Sequence, residues 1–219
     1  MQVGIISYAA NSGLGILAKS LIDHGIADKI LTIRHPHYRN EDWYGNGVGY
    51  KYPQDATEFL KSIDVLLILE NAWYWEVVKE ARRLGKRIVL MPMYEYTPYP
   101  PPIEPDFCIC PSLLDLQYYP RSSAFIPVPV EVPWSLRSRA HTFIHNAGHG
   151  GRGYRNGTPE LLEAMHYVKS PIRLIIRGQT EDRKIADLFR YWEPKVDKRV
   201  AIVGGTVPQA ELYAGVPIS

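Results

Sequence analysis

Cysteine is nearly absent from this 219-residue chain: there are two, Cys108 and Cys110, in the run FCIC. So few thiols exclude a disulfide framework, and the lack of further Cys or His nearby excludes a cysteine-based metal site. The pair is expected to point to opposite faces of a strand, unbridged, as packing thiols in a reducing compartment. An excess of charge of one sign is missing too. The 25 Lys and Arg against 23 Asp and Glu leave a net +2, so no strong basic field points to nucleic acid. No apolar run approaches the roughly 20 residues that a membrane span needs. The opening MQVGIISY already reads as a strand, so no signal peptide is expected, and the protein is expected to be soluble and cytoplasmic. There is no internal repeat, and no low-complexity tract beyond PYPPP at 98–102.

What is present is an alternation of short apolar runs with helical patterns. VGIIS (3–7), KILTI (29–33), DVLLILE (64–70), RIVLM (87–91), PDFCICP (105–111) and SAFIPVPV (123–130) read as strands. Helices are expected over 13–24, 55–61 and 73–84, the last closed by Gly85. Residues 35–53 are aromatic, glycine-rich and irregular. Continuously apolar strands alternating with helices predict a parallel sheet covered on both faces. Proline and arginine replace the pattern in PVEVPWSLRSRA (129–140), which places a domain junction there. A second series follows: strands HTFIHNAG, PIRLIIRG and KRVAIVGG, with helices over 158–168, 181–192 and from 209. The predicted architecture is α/β, with two Rossmann-like domains, 1–132 and 133–219.

Both halves carry a glycine-rich turn after their first strand. In HNAGHGGRGYRNGTPELLEAM (145–165) such a turn lets backbone N–H groups approach an anion, and the following helix adds its positive N-terminal end. Asn156 or Thr158 is expected to cap that helix, with Pro159 in its first turn. Arg152 and Arg155 add guanidinium groups suited to phosphate oxygens. The plain alternative is a glycine turn with solvated arginines. In SYAANSGLGILAKS, Gly13, Gly15 and Ala18 match G-x-G-x-x-A, the dinucleotide pattern. Against that reading, five residues separate the strand end near Ser7 from Gly13. The second strand also ends in Arg34 and His35 instead of an acid, although arginine would suit the 2′-phosphate of NADP.

Two Rossmann-like halves, each with a glycine loop after its first strand, resemble the GT-B glycosyltransferases. The likeness to the retaining family that includes sucrose and glycogen synthases, and to its bacteriophage-type members, rests on three stretches. NSGLGILAKSL resembles that family's opening S-G-x-G loop and helix. FIHNAGHGGRGYRNGTPELLEAM resembles the first strand, loop and helix of its nucleotide-binding domain. RVAIVGGTVPQAELYA resembles the strand and turn before a short helix carrying "eLY". The resemblance implies a nucleoside diphosphate sugar as donor, no cofactor, and an acceptor of unknown kind. It places the donor diphosphate against Gly148, His149, Gly150, Gly151, Arg152 and Arg155, with Gly13 and Gly15 letting the first loop close over the donor. Metal is not expected, since GT-B enzymes use helix ends and basic side chains, and no D-x-D motif appears. Glu95, the one charged side chain of PMYEYTPYPPP, is the candidate catalytic or acceptor-side residue, against a plain surface role. His145 is expected to be structural, though it or His149 would be within reach of phosphate. Trp73, Tyr74 and Trp75 would stack on a sugar, or else belong to core and interface.

The chain departs from the family in lacking the E-x7-E segment and the returning helices. The expectation is therefore a truncated form with an incomplete second sheet, weak or absent transferase activity, and a sheet edge free to form a homo-oligomer. Two other readings stay open: a non-catalytic glycosyltransferase-like binding or assembly module, and an NADP-dependent oxidoreductase.

Overall fold

Parallel strands covered on both faces read as near-continuous apolar runs, and runs of that character form the centre of the sheet in the first half. In the computed structural model of the chain, residues 1–36, 39–128, 140–148, 157–178 and 197–204 are described. They fall into two compact units, Met1–Pro129 and Val130–Ser219. The fold is α/β, with two Rossmann-like parallel sheets flanked by helices.

In the first unit, β1 (Val3–Tyr8), β2 (Lys29–Ile33), β3 (Gly49–Lys51), β4 (Val65–Leu69), β5 (Arg87–Met91), β6 (Phe107–Cys110) and β7 (Ser123–Phe125) form one sheet. Its order is β3-β2-β1-β4-β5-β6-β7, and every pairing is parallel. Helix α1 (Gly13–Asp23) covers one face, where Ala18 and Leu21 meet Ile5, Ile30 and Leu67. On the other face α2 (Ala56–Lys61) and α3 (Trp75–Arg83) bring Phe59, Leu60, Val77, Val78 and Ala81 against Ile6, Leu31, Leu66 and Ile88. Fully burying one such aliphatic or aromatic side chain contributes about 1.5–3 kcal/mol. Cys108 and Cys110 both lie on this second face, buried in one cluster and unbridged. The expectation of opposite faces is thus corrected, because residues two apart in a strand share a face. Burial pushes the Cys108 thiol up to about 11.

Two elements of this unit were not expected from the sequence. β3 is a three-residue strand inside the irregular stretch, and α4 (Leu113–Tyr118) follows β6. A capping box starts α4: Ser112 Oγ accepts from the Asp115 N–H at 3.1 Å, and the Asp115 carboxylate accepts from the Ser112 N–H at 3.1 Å. The strand expected over 123–130 stops at Phe125.

The second unit opens with β8 (Thr142–Gly148), then α5 (Thr158–Ala164), β9 (Arg173–Gly178) and β10 (Val200–Gly204). The order is β10-β9-β8, all parallel. Leu162 and Met165 pack on Ala147, Leu174 and Ile176. Arg199 ties β10 to the end of α5: its guanidinium donates to the Met165 and Val168 carbonyls at 2.7 Å each and to Asp197 at 2.7 Å. Among the described residues β8 has no strand on its second side, and Phe143 and Ile144 are 46% and 41% exposed. The helices expected over 181–192 and from 209 lie outside the described residues.

Candidate functional site

Open parallel sheets bind ligands beyond the carboxyl ends of their strands, at the point where the strand order reverses. In the first unit that point lies between β1 and β4, whose following helices, α1 and α3, cover opposite faces. The turn after β1 is tight. The Ser12 N–H donates to the Ala10 carbonyl at 2.7 Å, and Ser12 Oγ accepts from the Gly15 N–H at 3.2 Å, which caps α1 from within. A Cβ on Gly15 would come 2.0 Å from the Ala10 carbonyl oxygen, whereas one on Gly13 would meet nothing within 4 Å. The first unit itself therefore explains Gly15: α1 begins too close to the β1 turn for any side chain there.

The turn after β4 holds two non-glycine residues in the left-handed region, Glu70 at φ 62° and Trp73 at φ 54°. Such conformations cost of order 1–3 kcal/mol each and concentrate at ligand-binding loops. The Glu70 backbone is pinned on both sides, its N–H donating to the Met91 carbonyl at 2.8 Å and its carbonyl accepting from the Thr97 hydroxyl. Burial, then the charge of Glu70, pushes the Tyr8 phenol up to about 12, so Tyr8 stays a neutral donor across the working pH range. The aromatic cluster is divided: Trp73 is half exposed, Tyr74 stacks on Tyr52 with ring centroids 4.1 Å apart, and Trp75 packs against the core. Glu95 lies exposed in the turn after β5.

A polar pocket opens beside this point, at the carboxyl ends of β1, β2 and β3. It encloses about 580 Å³ and is lined in part by Thr32, Arg34, Asn40, Glu41, Asp42 and Lys51. No sequence motif announces it, because its walls come from three strands and from the irregular stretch.

In the second unit Gly148 ends β8, and α5 begins at Thr158 after Gly157, whose φ of 66° favours glycine. Thr158 is not the cap: Gly157 holds that position, with no side-chain cap bond among the described residues, and Asn156 lies outside them. Thr158 Oγ1 instead lies 2.9 Å from His145 Nε2, so His145 is engaged within the fold. His149, Gly150, Gly151, Arg152 and Arg155 lie outside the described residues. The sequence reading missed Arg177. It sits near the carboxyl end of β9, level with Asn146 of β8, only 9% exposed, with Nη1 buried and without a hydrogen-bond partner among the described residues. An arginine within the apolar run LIIRG was the available signal, since charge is almost never buried there without a use. Among the described residues no group of three or more His, Cys, Asp or Glu is placed to hold a metal ion, and no helix is long and apolar enough to cross a membrane.

No protein-family model matches the sequence, and no curated protein matches it. Among solved structures the chain is similar to MurG from Acinetobacter baumannii, at 12% identity and a TM-score of 0.44, over 94% of this chain and 67% of MurG.

Proposed function

We propose that the protein is a glycosyltransferase of the GT-B kind, moving a hexose from a nucleoside diphosphate sugar to an acceptor with retention of configuration. The observation that carries this reading is the buried Arg177 guanidinium with an unpartnered nitrogen at the carboxyl end of the second unit's sheet. Two parallel sheets in one chain, each with a glycine-rich sequence after its first strand, support it at the level of the fold. In this reading the donor diphosphate meets Arg177 together with Arg152, Arg155 and the glycine loop at 148–151, His149 included. Negative charge grows on the departing diphosphate as the sugar bond breaks. Guanidinium groups already in place stabilise that charge without reorganising, so they lower the barrier more than they tighten substrate binding. No metal ion is required for that role. Glu95 is the candidate acceptor-side group, and Gly13 leaves open space beside the first loop.

The oxidoreductase alternative draws less support. A dinucleotide diphosphate would take the free amides at the start of α1, and the Gly15 amide is already occupied by Ser12. The exposed Phe143 and Ile144 on β8 favour a second role, assembly of copies through that strand. A dimeric mass in solution that Phe143→Lys converts to monomer supports it, and a monomer at high concentration removes it.

The transferase reading is tested by thermal shift with UDP, GDP, ADP, their sugar conjugates and NADPH. A ligand that binds the native state at 100 times its Kd stabilises by about 2.7 kcal/mol. One nucleoside diphosphate is expected to raise the melting temperature selectively, with no shift from NADPH. A panel flat for all three diphosphates overturns the reading.

A further inference from the structure

The face of the first sheet that carries α1 changes character along its length. Its middle is apolar, with Ile5, Ile30 and Leu67 buried. One pleat further towards the carboxyl ends stand Ser7, Thr32 and Lys51, side by side across three strands, because Ser7 pairs with Thr32 and Thr32 with Lys51. Arg34, just past the end of β2, lines the same pocket as Thr32 and Lys51. The opposite face stays apolar to the end, with Tyr8 and Ile33 buried in its core. The polarity is therefore local to one side and one level, where the 580 Å³ pocket opens.

The facing wall is the segment that doubles back after β2. It is held by the Ala10–Asn40 bridge, by the Glu41 N–H donating to the Ala9 carbonyl at 2.6 Å, and by the His35 N–H donating to Asn40 Oδ1 at 3.3 Å. These bonds set Glu41 and Asp42 in the pocket wall beside β1, while Arg34 comes from the residue just after β2 and Lys51 from β3. No ion pair joins the two acids to the two cations among the described residues. A carboxylate only accepts hydrogen bonds, and a guanidinium or ammonium only donates them. A ligand that carries an anionic group and several hydroxyl donors at once satisfies both walls. The volume falls within the roughly 300–1,000 Å³ usual for small-molecule sites.

We propose that this pocket binds a phosphorylated sugar, its phosphate on Arg34 and Lys51 and its hydroxyls on Glu41 and Asp42. All of these residues belong to the first unit, and the site is independent of the donor reading. The same chemistry occurs in a free sugar phosphate and in the phosphorylated ribose of a nucleotide, and the probes separate the two.

The test is calorimetric titration of the whole chain with glucose 6-phosphate, adenosine 2′,5′-bisphosphate, glucose and inorganic phosphate. At least one phosphorylated sugar is expected to bind more tightly than glucose or inorganic phosphate, and the tighter of the two names the source. Arg34→Ala and Lys51→Ala are each expected to weaken it about tenfold, the loss typical of a charge-assisted contact. Asp42→Asn is expected to weaken the sugar phosphate but not inorganic phosphate. All three positions are exposed, so the variants should melt as the parent does, and Arg177→Met should leave this binding intact. The assignment is overturned by an absence of binding at millimolar concentration, by inorganic phosphate binding as tightly as both sugar phosphates, or by affinity indifferent to Arg34→Ala and Lys51→Ala together.

Discussion

A buried guanidinium nitrogen without a partner, as at Arg177, costs the ligand-free fold the desolvation of a polar group, about 1–3 kcal/mol. Arg177→Met keeps much of the volume and removes that cost. It is expected to raise the melting temperature of the ligand-free protein while abolishing the shift given by a nucleoside diphosphate. If both measurements fall together, Arg177 is a structural residue and has no part in anion binding. The two glycines of SGLG make a second contrast. Gly15→Ala sets a Cβ against the Ala10 carbonyl and is expected to cost roughly 3 kcal/mol, the upper end for overpacking. Gly13→Ala has open space around it and is expected to be neutral, or to gain up to about 1 kcal/mol from helix propensity. Urea denaturation of the two variants decides it; equal losses would show that the crowding at Gly15 is relieved by a shift of the turn.

Among the elements, α4 depends most on one side chain. Asp115 is buried, closes the capping box with Ser112, and also accepts the Tyr94 N–H at 2.9 Å from the turn after β5. Asp115→Ala is expected to cost about 2–3 kcal/mol, combining a lost cap with a stranded donor, as read from chemical denaturation. Asp106 joins α3 to the start of β5. Burial alone would raise its pKa, but the hydrogen bond from Arg82, the Ile88 N–H and the Arg82 charge outweigh burial and hold it below the usual carboxylate range. A depressed folded-state pKa stabilises above the unfolded value, near 3.9, and that contribution fades as pH falls from there through the lower folded-state pKa. Stability measured between pH 7 and pH 3 should therefore fall less steeply in Asp106→Asn than in the parent. The sequence announced most of these elements, and the exceptions have physical reasons. β2 and β5 were legible to the residue because both are short, mostly apolar runs that open on a charged residue. β3 was hidden because three residues, Gly-Tyr-Lys, carry no period and pair only through β2. α4 was legible in principle from Ser112 and Asp115 at cap and N3, but its six residues are too short for a 3.6-residue pattern to show. The same limit hid the pocket, whose walls meet only after β1, β2 and β3 align, and Arg177, whose burial depends on its neighbours in the sheet.

The whole molecule is two units with separate cores. The first has both faces of its central strands covered by its own helices, so residues 1–128 alone are expected to melt cooperatively and to keep the sugar phosphate site. A chain of that length that aggregates or lacks a thermal transition would show that the first core is not self-sufficient. Both cysteines of the chain lie inside that core and none lies in the second unit. With its thiol pushed up to about 11, Cys108 has almost no thiolate at neutral pH, and a reagent such as DTNB reaches it only when the first unit opens. The rate of thiol labelling thus clocks the opening of one unit without any engineered probe, and a ligand that slows it must be bound to, or coupled to, that unit.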